Sequence, residues 1–188
     1  MNAFDRLGLP RRLALHEEEL SQTVTRESRA HHPDAGGQVK DFEEIRKAGE
    51  VLSVPALRIK EALELVGGEG GGRGEIPGAV MEFFSPVALV LERVSDFRRE
   101  RAKTLSGLGR AVLDARLPKL KQELEGLVDR LGDLESALIC RFEEFDEEGW
   151  ENCREEMGEV ARGLAFLRKW LGQLREANGI LFEALLGG

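Results

Sequence analysis

The chain has no tyrosine, two cysteines, three histidines and six prolines among its 188 residues. Each shortage excludes something. Cys140 and Cys153 form no close pair, and no histidine follows His32 to join them, so neither a disulfide framework nor a zinc site is expected. They read as buried or incidental thiols. The lack of tyrosine, the few prolines and the scarcity of β-branched runs make all-α the natural class. No apolar stretch approaches the ~20 residues that span a bilayer. The amino terminus lacks an apolar signal core, so a cytoplasmic location is expected and a membrane partner is not. Positive charge is also short. The 27 Lys and Arg stand against 35 Asp and Glu, a net charge of −8, which argues against a general nucleic-acid or anionic-membrane binder.

What is present is charge and helix-forming apolar residues: 33% charged and 41% hydrophobic, in a chain long enough for one or two small domains. Three blocks follow from the pattern. Residues 1–66 form the first. Residues 67–78 are glycine-dense, with little to bury and high chain entropy, and read as a flexible linker. Residues 79–188 are helical again.

In the first block, Leu15 to His31 contains no Gly or Pro and reads as a helix. His32-Pro33-Asp34 ends it, and Gly36-Gly37 breaks the chain. Phe42, Ile45, Ala48, Gly49 and Leu52 then recur at helical spacing and are expected to face Leu20 and Val24 across an antiparallel hairpin. Gly49 costs about 1 kcal/mol against alanine in such a helix. A shorter helix is expected from Pro55, a good first-turn residue, through Leu57, Arg58, Ala62 and Leu63.

In the last block, Ser85-Pro86 is the expected start of a helix reaching about 104, with Val87, Leu91, Val94 and Phe97 as its apolar stripe. Gly107, Gly109 and Pro118 should then interrupt helix. A heptad-type seam runs from Leu117 through Leu124, Leu131 and Leu138 to Phe145. Asp146 to Gly149 can hold a turn, and the seam resumes at Trp150 and continues to Leu185. The short turn favours an intramolecular antiparallel three-helix bundle over a coiled coil between chains. Cys153 falls on the seam and Cys140 off it.

Pro33 fixes its own φ and removes a donor, so the loop stiffens and presents His32 and Asp34 at a corner. Taken alone, the tripeptide is as readily an ordinary helix-terminating loop. Its surroundings add to it. The opening Phe4-Asp5-Arg6-Leu7-Gly8-Leu9, the tripeptide, and the later series Phe42, Ile45, Ala48, Leu52-Ser53, Pro55 and Arg58 together resemble a J-domain, the module that stimulates ATP hydrolysis by Hsp70 chaperones. The resemblance implies that Asp34 pairs with an arginine of the Hsp70 ATPase domain and that His32 orders the loop. It also implies a basic face on the preceding helix. Arg26, Arg29 and His31 are the candidates, offset by Glu17 to Glu19 and Glu27. Ala35 stands where J-domains commonly have lysine, and His31 where they commonly have tyrosine. Such a protein supplies no catalytic group and needs no cofactor. The rival reading, an enzyme using His16, His31, His32 and Asp34, lacks any helical metal-ligand spacing.

The later blocks extend the resemblance. Leu52 to Leu63, then Trp150 followed by Leu164-Ala165-Phe166-Leu167-Arg168-Lys169, are similar to the HscB type, J-domain co-chaperones of iron–sulfur cluster assembly. That implies a scaffold-protein client held by the bundle. The client-binding candidates are Val90, Leu91 and Val94 with Phe166 and Trp170. The acids that follow in that family are replaced here by Ser95, Arg98 and Arg99. The alternative is a J-like helical interaction scaffold with weak or lost Hsp70 coupling and an unrelated client.

Overall fold

The computed structural model describes residues 1–67 and 74–186. The glycine-dense stretch expected as a linker falls largely on 68–73, outside the described residues. Among the described residues every regular element is helical. The chain divides into two compact units, residues 1–76 with 138–164, and residues 77–137 with 165–188.

The first unit is built on a helical hairpin. Helix α1 (Ala3–Leu7) is capped by Asn2, whose Oδ1 accepts the Asp5 N–H at 2.9 Å, and ends at Gly8 with φ +62°. Helix α2 (Glu17–Ala30) opens on three glutamates that complement the positive end of its dipole. It stops where Pro33 forces His32 into extended backbone. Helix α3 (Val39–Ser53) buries Ile45, Ala48, Gly49 and Leu52, as its spacing predicts. Gly49 has a steric reason. A Cβ there would lie 3.0 Å from both methyl carbons of Val24, so the missing side chain lets α2 and α3 approach. Phe42 departs from the expected stripe. It is half-buried and turned toward His32 rather than enclosed with Leu20.

Helix α4 (Pro55–Leu65) starts on Pro55 and buries Arg58, Ile59, Ala62 and Leu63. The Arg58 guanidinium donates to the carbonyls of Leu52 at 2.7 Å and Leu13 at 2.6 Å, and burial pushes its pKa down. Residues 138–164 complete this unit. Phe142 and Phe145 of α9 (Arg141–Glu148) are buried, and the Trp150 ring lies 5.8 Å from that of Phe4.

The second unit is a three-helix bundle. It comprises α6 (Phe84–Lys103), the part of α8 (Leu117–Ile139) up to Ala137, and the part of α10 (Arg154–Leu185) from Ala165 onward. Side-chain pairs fix the directions. Arg130 of α8 lies over Phe83, Arg93 meets Glu123 at 2.6 Å, and Arg116 meets Glu100 at 3.1 Å, so α6 and α8 are antiparallel. Phe84 meets Trp170 and Arg101 meets the Ala184 carbonyl, so α6 and α10 run parallel. Val87, Val90, Val94 and Phe97 fill the α6 side of the core, with Leu124, Leu127, Leu131, Leu167 and Leu174 opposite. The single turn α5 (Gly78–Met81) precedes the bundle.

Three details differ from the sequence expectation. Helix α6 begins at Phe84, which places Ser85 and Pro86 inside its first turn, where the N–H groups have no intrahelical partner and proline costs nothing. A short helix α7 (Gly107–Asp114) forms despite two glycines, because Ser106 Oγ accepts the Gly109 N–H at 3.1 Å. The seam is also not one helix from Leu117 to Phe145. It breaks at Cys140, and the turn falls at 149–153, with Trp150 in the turn rather than on a helix. Asn152 fixes that turn by donating to the Glu148 carbonyl at 2.7 Å. Cys140 is exposed and Cys153 buried, as their places on the seam predict. No described helix is long and apolar enough to cross a membrane.

Candidate functional site

The loop between α2 and α3 is a rigid corner. Pro33–Ala35 form one turn of 3-10 helix, with Pro33 in first position. The His32 carbonyl accepts the N–H groups of Ala35 at 2.9 Å and Gly37 at 3.1 Å. Gly36 takes φ +86° and turns the chain back. At Gly37 a Cβ would sit 2.1 Å from the His31 carbonyl oxygen, so only glycine fits. The sequence marks this pair as a helix breaker; the close approach to His31 requires the folded loop.

His32 and Asp34 do different things at this corner. The His32 Nδ1 accepts the Asp34 N–H at 3.2 Å and faces the Asp34 carboxylate at 3.5 Å. Its ring stands edge-on to Phe42, centroids 5.0 Å apart at 77°. The Arg46 guanidinium sits 6.0 Å from the other ring in this stack, Phe42. Histidine is thus held from two sides. Asp34, by contrast, has a side chain 92% exposed and accepts no cation from elsewhere in the described chain beyond that long approach to His32. A carboxylate fixed at its backbone and open at its tip can receive a guanidinium in bidentate fashion.

The basic residues expected beside the corner are less available. Arg26 is exposed, but its Nε donates to Glu27 at 3.1 Å. His31 is half-buried, with Nδ1 3.0 Å from the Glu27 carbonyl oxygen. Arg29 is exposed. His16 lies at the start of α2, away in sequence from the corner, and among the described residues no group of three His, Cys, Asp or Glu could hold a metal ion.

The expected client residues separate on the bundle. Val90, Val94 and Trp170 are buried, while Leu91 and Phe166 are half-buried. Phe84, which the sequence reading left outside the helix, joins them. Its ring is 5.1 Å from Phe166 and 4.8 Å from Trp170, and the residue is 37% exposed. Phe84 and Leu91 are two turns apart on one face of α6, a spacing visible in the sequence once the helix is started one residue earlier. The open part of this patch is therefore Phe84, Leu91 and Phe166.

No protein-family model and no curated protein sequence matches the chain. Among solved structures it is similar to the chaperone HscB from Vibrio cholerae, with a TM-score of 0.56 and 20% identity over 95% of this chain and 98% of that one. The likeness spans both the hairpin and the bundle, and the chain has an HscB-like, all-helical fold.

Proposed function

We propose that the protein is an Hsp70 co-chaperone that stimulates ATP hydrolysis through the His32-Pro33-Asp34 corner and acts on an iron–sulfur scaffold protein held by the bundle. One observation carries the first half. On an HscB-like fold, the Asp34 carboxylate is positioned by a turn that Pro33, Gly36 and Gly37 hold, and it is left open to a partner. The protein adds no group to the ATP site. Binding shifts the chaperone toward a state whose own residues hydrolyse faster.

The test is single-turnover ATP hydrolysis by an Hsp70 of the source organism, with and without the full chain. A rise in rate that Asp34→Asn abolishes, with the circular dichroism unchanged, is the expected result. No stimulation of any such Hsp70 overturns the proposal. That outcome would favour the second reading, a helical scaffold without chaperone coupling, for which the pairing of Arg26 with Glu27 speaks.

The client half rests on the resemblance to the HscB type and on the open patch of Phe84, Leu91 and Phe166. Calorimetric titration of the full chain with the organism's own scaffold protein tests it. Leu91→Ala should weaken binding by about 1 kcal/mol or more as a central anchor and leave ATPase stimulation unchanged. Absence of binding at tens of micromolar, roughly −6 kcal/mol, removes the client assignment alone.

A further inference from the structure

The bundle carries an island of positive charge in an acidic chain. Residues 98–119 contain seven Lys or Arg against two acids, whereas the whole chain has 27 against 35. Arg99, Arg101 and Arg116 are paired with Asp96, Asp114 and Glu100, and Arg98 and Arg110 are in no ion pair among the described residues. A groove of about 510 Å³ opens within this island, between the end of α6, α7 and the last turns of α10. Its apolar lining includes Phe97, Ala102, Ile180 and Leu186, and its cations include Arg98 and Arg110. Among the described lining residues Glu183 is the one acid.

The groove is preformed. Arg101 is mostly buried, with Nε 2.9 Å from Asp114 of α7 and a second nitrogen 3.2 Å from the Ala184 carbonyl of α10. One side chain of α6 thus fixes both other walls. The Arg110 Nε donates to the Thr104 carbonyl at 3.0 Å, which orients its guanidinium while leaving it exposed. Arg98 is exposed and has no carboxylate within ion-pair distance among the described residues. Preorganised walls lower the ordering cost of binding.

We propose that this groove docks an acidic amphipathic helix of a partner protein, an apolar side chain entering between Phe97 and Ile180 and flanking carboxylates meeting Arg98 and Arg110. Charge complementarity selects the sign of the partner, and the apolar floor requires an apolar anchor in the same segment. The surface lies toward the opposite end of α6 from Phe84, and the inference does not rest on the Hsp70 or scaffold reading. A bilayer is the less suited occupant. It would meet the protruding Leu108 and Val112, and helical periodicity places these on the other side of α7 from Arg110 and Asp114.

The test is selection of random peptides displayed on phage against the full chain, followed by anisotropy titration of the selected peptides in labelled form. The expected winners are rich in Asp and Glu, with apolar residues at helical spacing. Their affinity should fall at least tenfold in Arg98→Glu, and fall again as salt is raised. Arg98 is exposed and makes no hydrogen bond or ion pair among the described residues, so that variant should keep the wild-type melting temperature. Basic or neutral winners, winners indifferent to Arg98→Glu, or no winners at all would overturn the proposal. So would binding of the chain to phosphatidylserine vesicles alone, which would assign the island to lipid.

Discussion

Arg58 and Asp146 hold the same residue from opposite sides: the arginine donates to the Leu13 carbonyl at 2.6 Å, and the carboxylate accepts the Leu13 N–H at 2.8 Å. Asp146 also accepts the Ala14 N–H at 2.9 Å and the Trp150 indole N–H at 2.8 Å. Its side chain is 4% exposed. A loop with no regular structure is thereby satisfied by two side chains that lie far from it in sequence.

Asp146→Ala leaves three donors without an acceptor, at about 1–3 kcal/mol for each buried group that water cannot reach. Partial access of water to the loop brings the expected total to roughly 2–4 kcal/mol. Urea denaturation of the full chain measures it. Arg58→Ala should cost a similar amount, and the double variant less than the sum, because both act through Leu13. A loss under about 0.5 kcal/mol for Asp146→Ala would mean the clamp is not formed in solution.

Gly49 and Val24 offer a test whose sign changes with its partner. Gly49→Ala gains about 1 kcal/mol of helix propensity but drives a methyl to 3.0 Å from two carbons of Val24. Overpacking of this kind costs about 1–3 kcal/mol, so the single variant should be neutral or destabilised. In the Val24→Ala background the same change should become stabilising. Equal effects in both backgrounds, read from thermal melts, would show that the two helices are farther apart.

Phe42→Ala removes the edge contact that steadies His32. An aromatic pair is worth about 1 kcal/mol, so under the proposed function the half-maximal concentration for Hsp70 stimulation should rise roughly fivefold. Asp34 remains in place, so the maximal rate should persist. Phe42→Tyr should restore the wild-type concentration dependence. An unchanged titration in Phe42→Ala would remove Phe42 from the site.

The two thiols should behave differently. Cys153 is buried and its thiol sits 3.0 Å from the Glu148 carboxylate, a hydrogen bond that with burial pushes its pKa up to about 11. Iodoacetamide at pH 8 should label Cys140 alone. Well below pH 9, the ordinary thiol value, the thiol is protonated in folded and unfolded chains alike, and this group adds no pH dependence. Between about 9 and 11 the unfolded chain releases the proton while the folded chain keeps it, so stability should fall as pH rises through that window. Cys153→Ala should flatten that part of the curve.

Much of the hairpin is legible in the sequence because its signals are local. Pro33 stops α2, Gly36 and Gly37 turn the chain, and Ile45, Ala48 and Leu52 repeat at helical spacing. The corner follows from the same residues. The clamp on Leu13 is not legible, since an aspartate near a helix end carries no mark of a partner 133 residues away. The bundle patch is legible only in part. A periodic stripe shows which face is apolar, but the position of the third helix decides which shoulder stays open. Val90 and Val94 went inside, and Phe84 came to the surface.

The amino-terminal unit is discontinuous, and this bears on its synthesis. Its first 76 residues leave the ribosome well before 138–164, which complete it. Until then Trp150 cannot cover Phe4, and the Leu13 and Ala14 amides wait for Asp146. The nascent hairpin therefore emerges with an open flank, and a ribosome paused before Leu138 displays a His-Pro-Asp corner on a unit that has not yet closed.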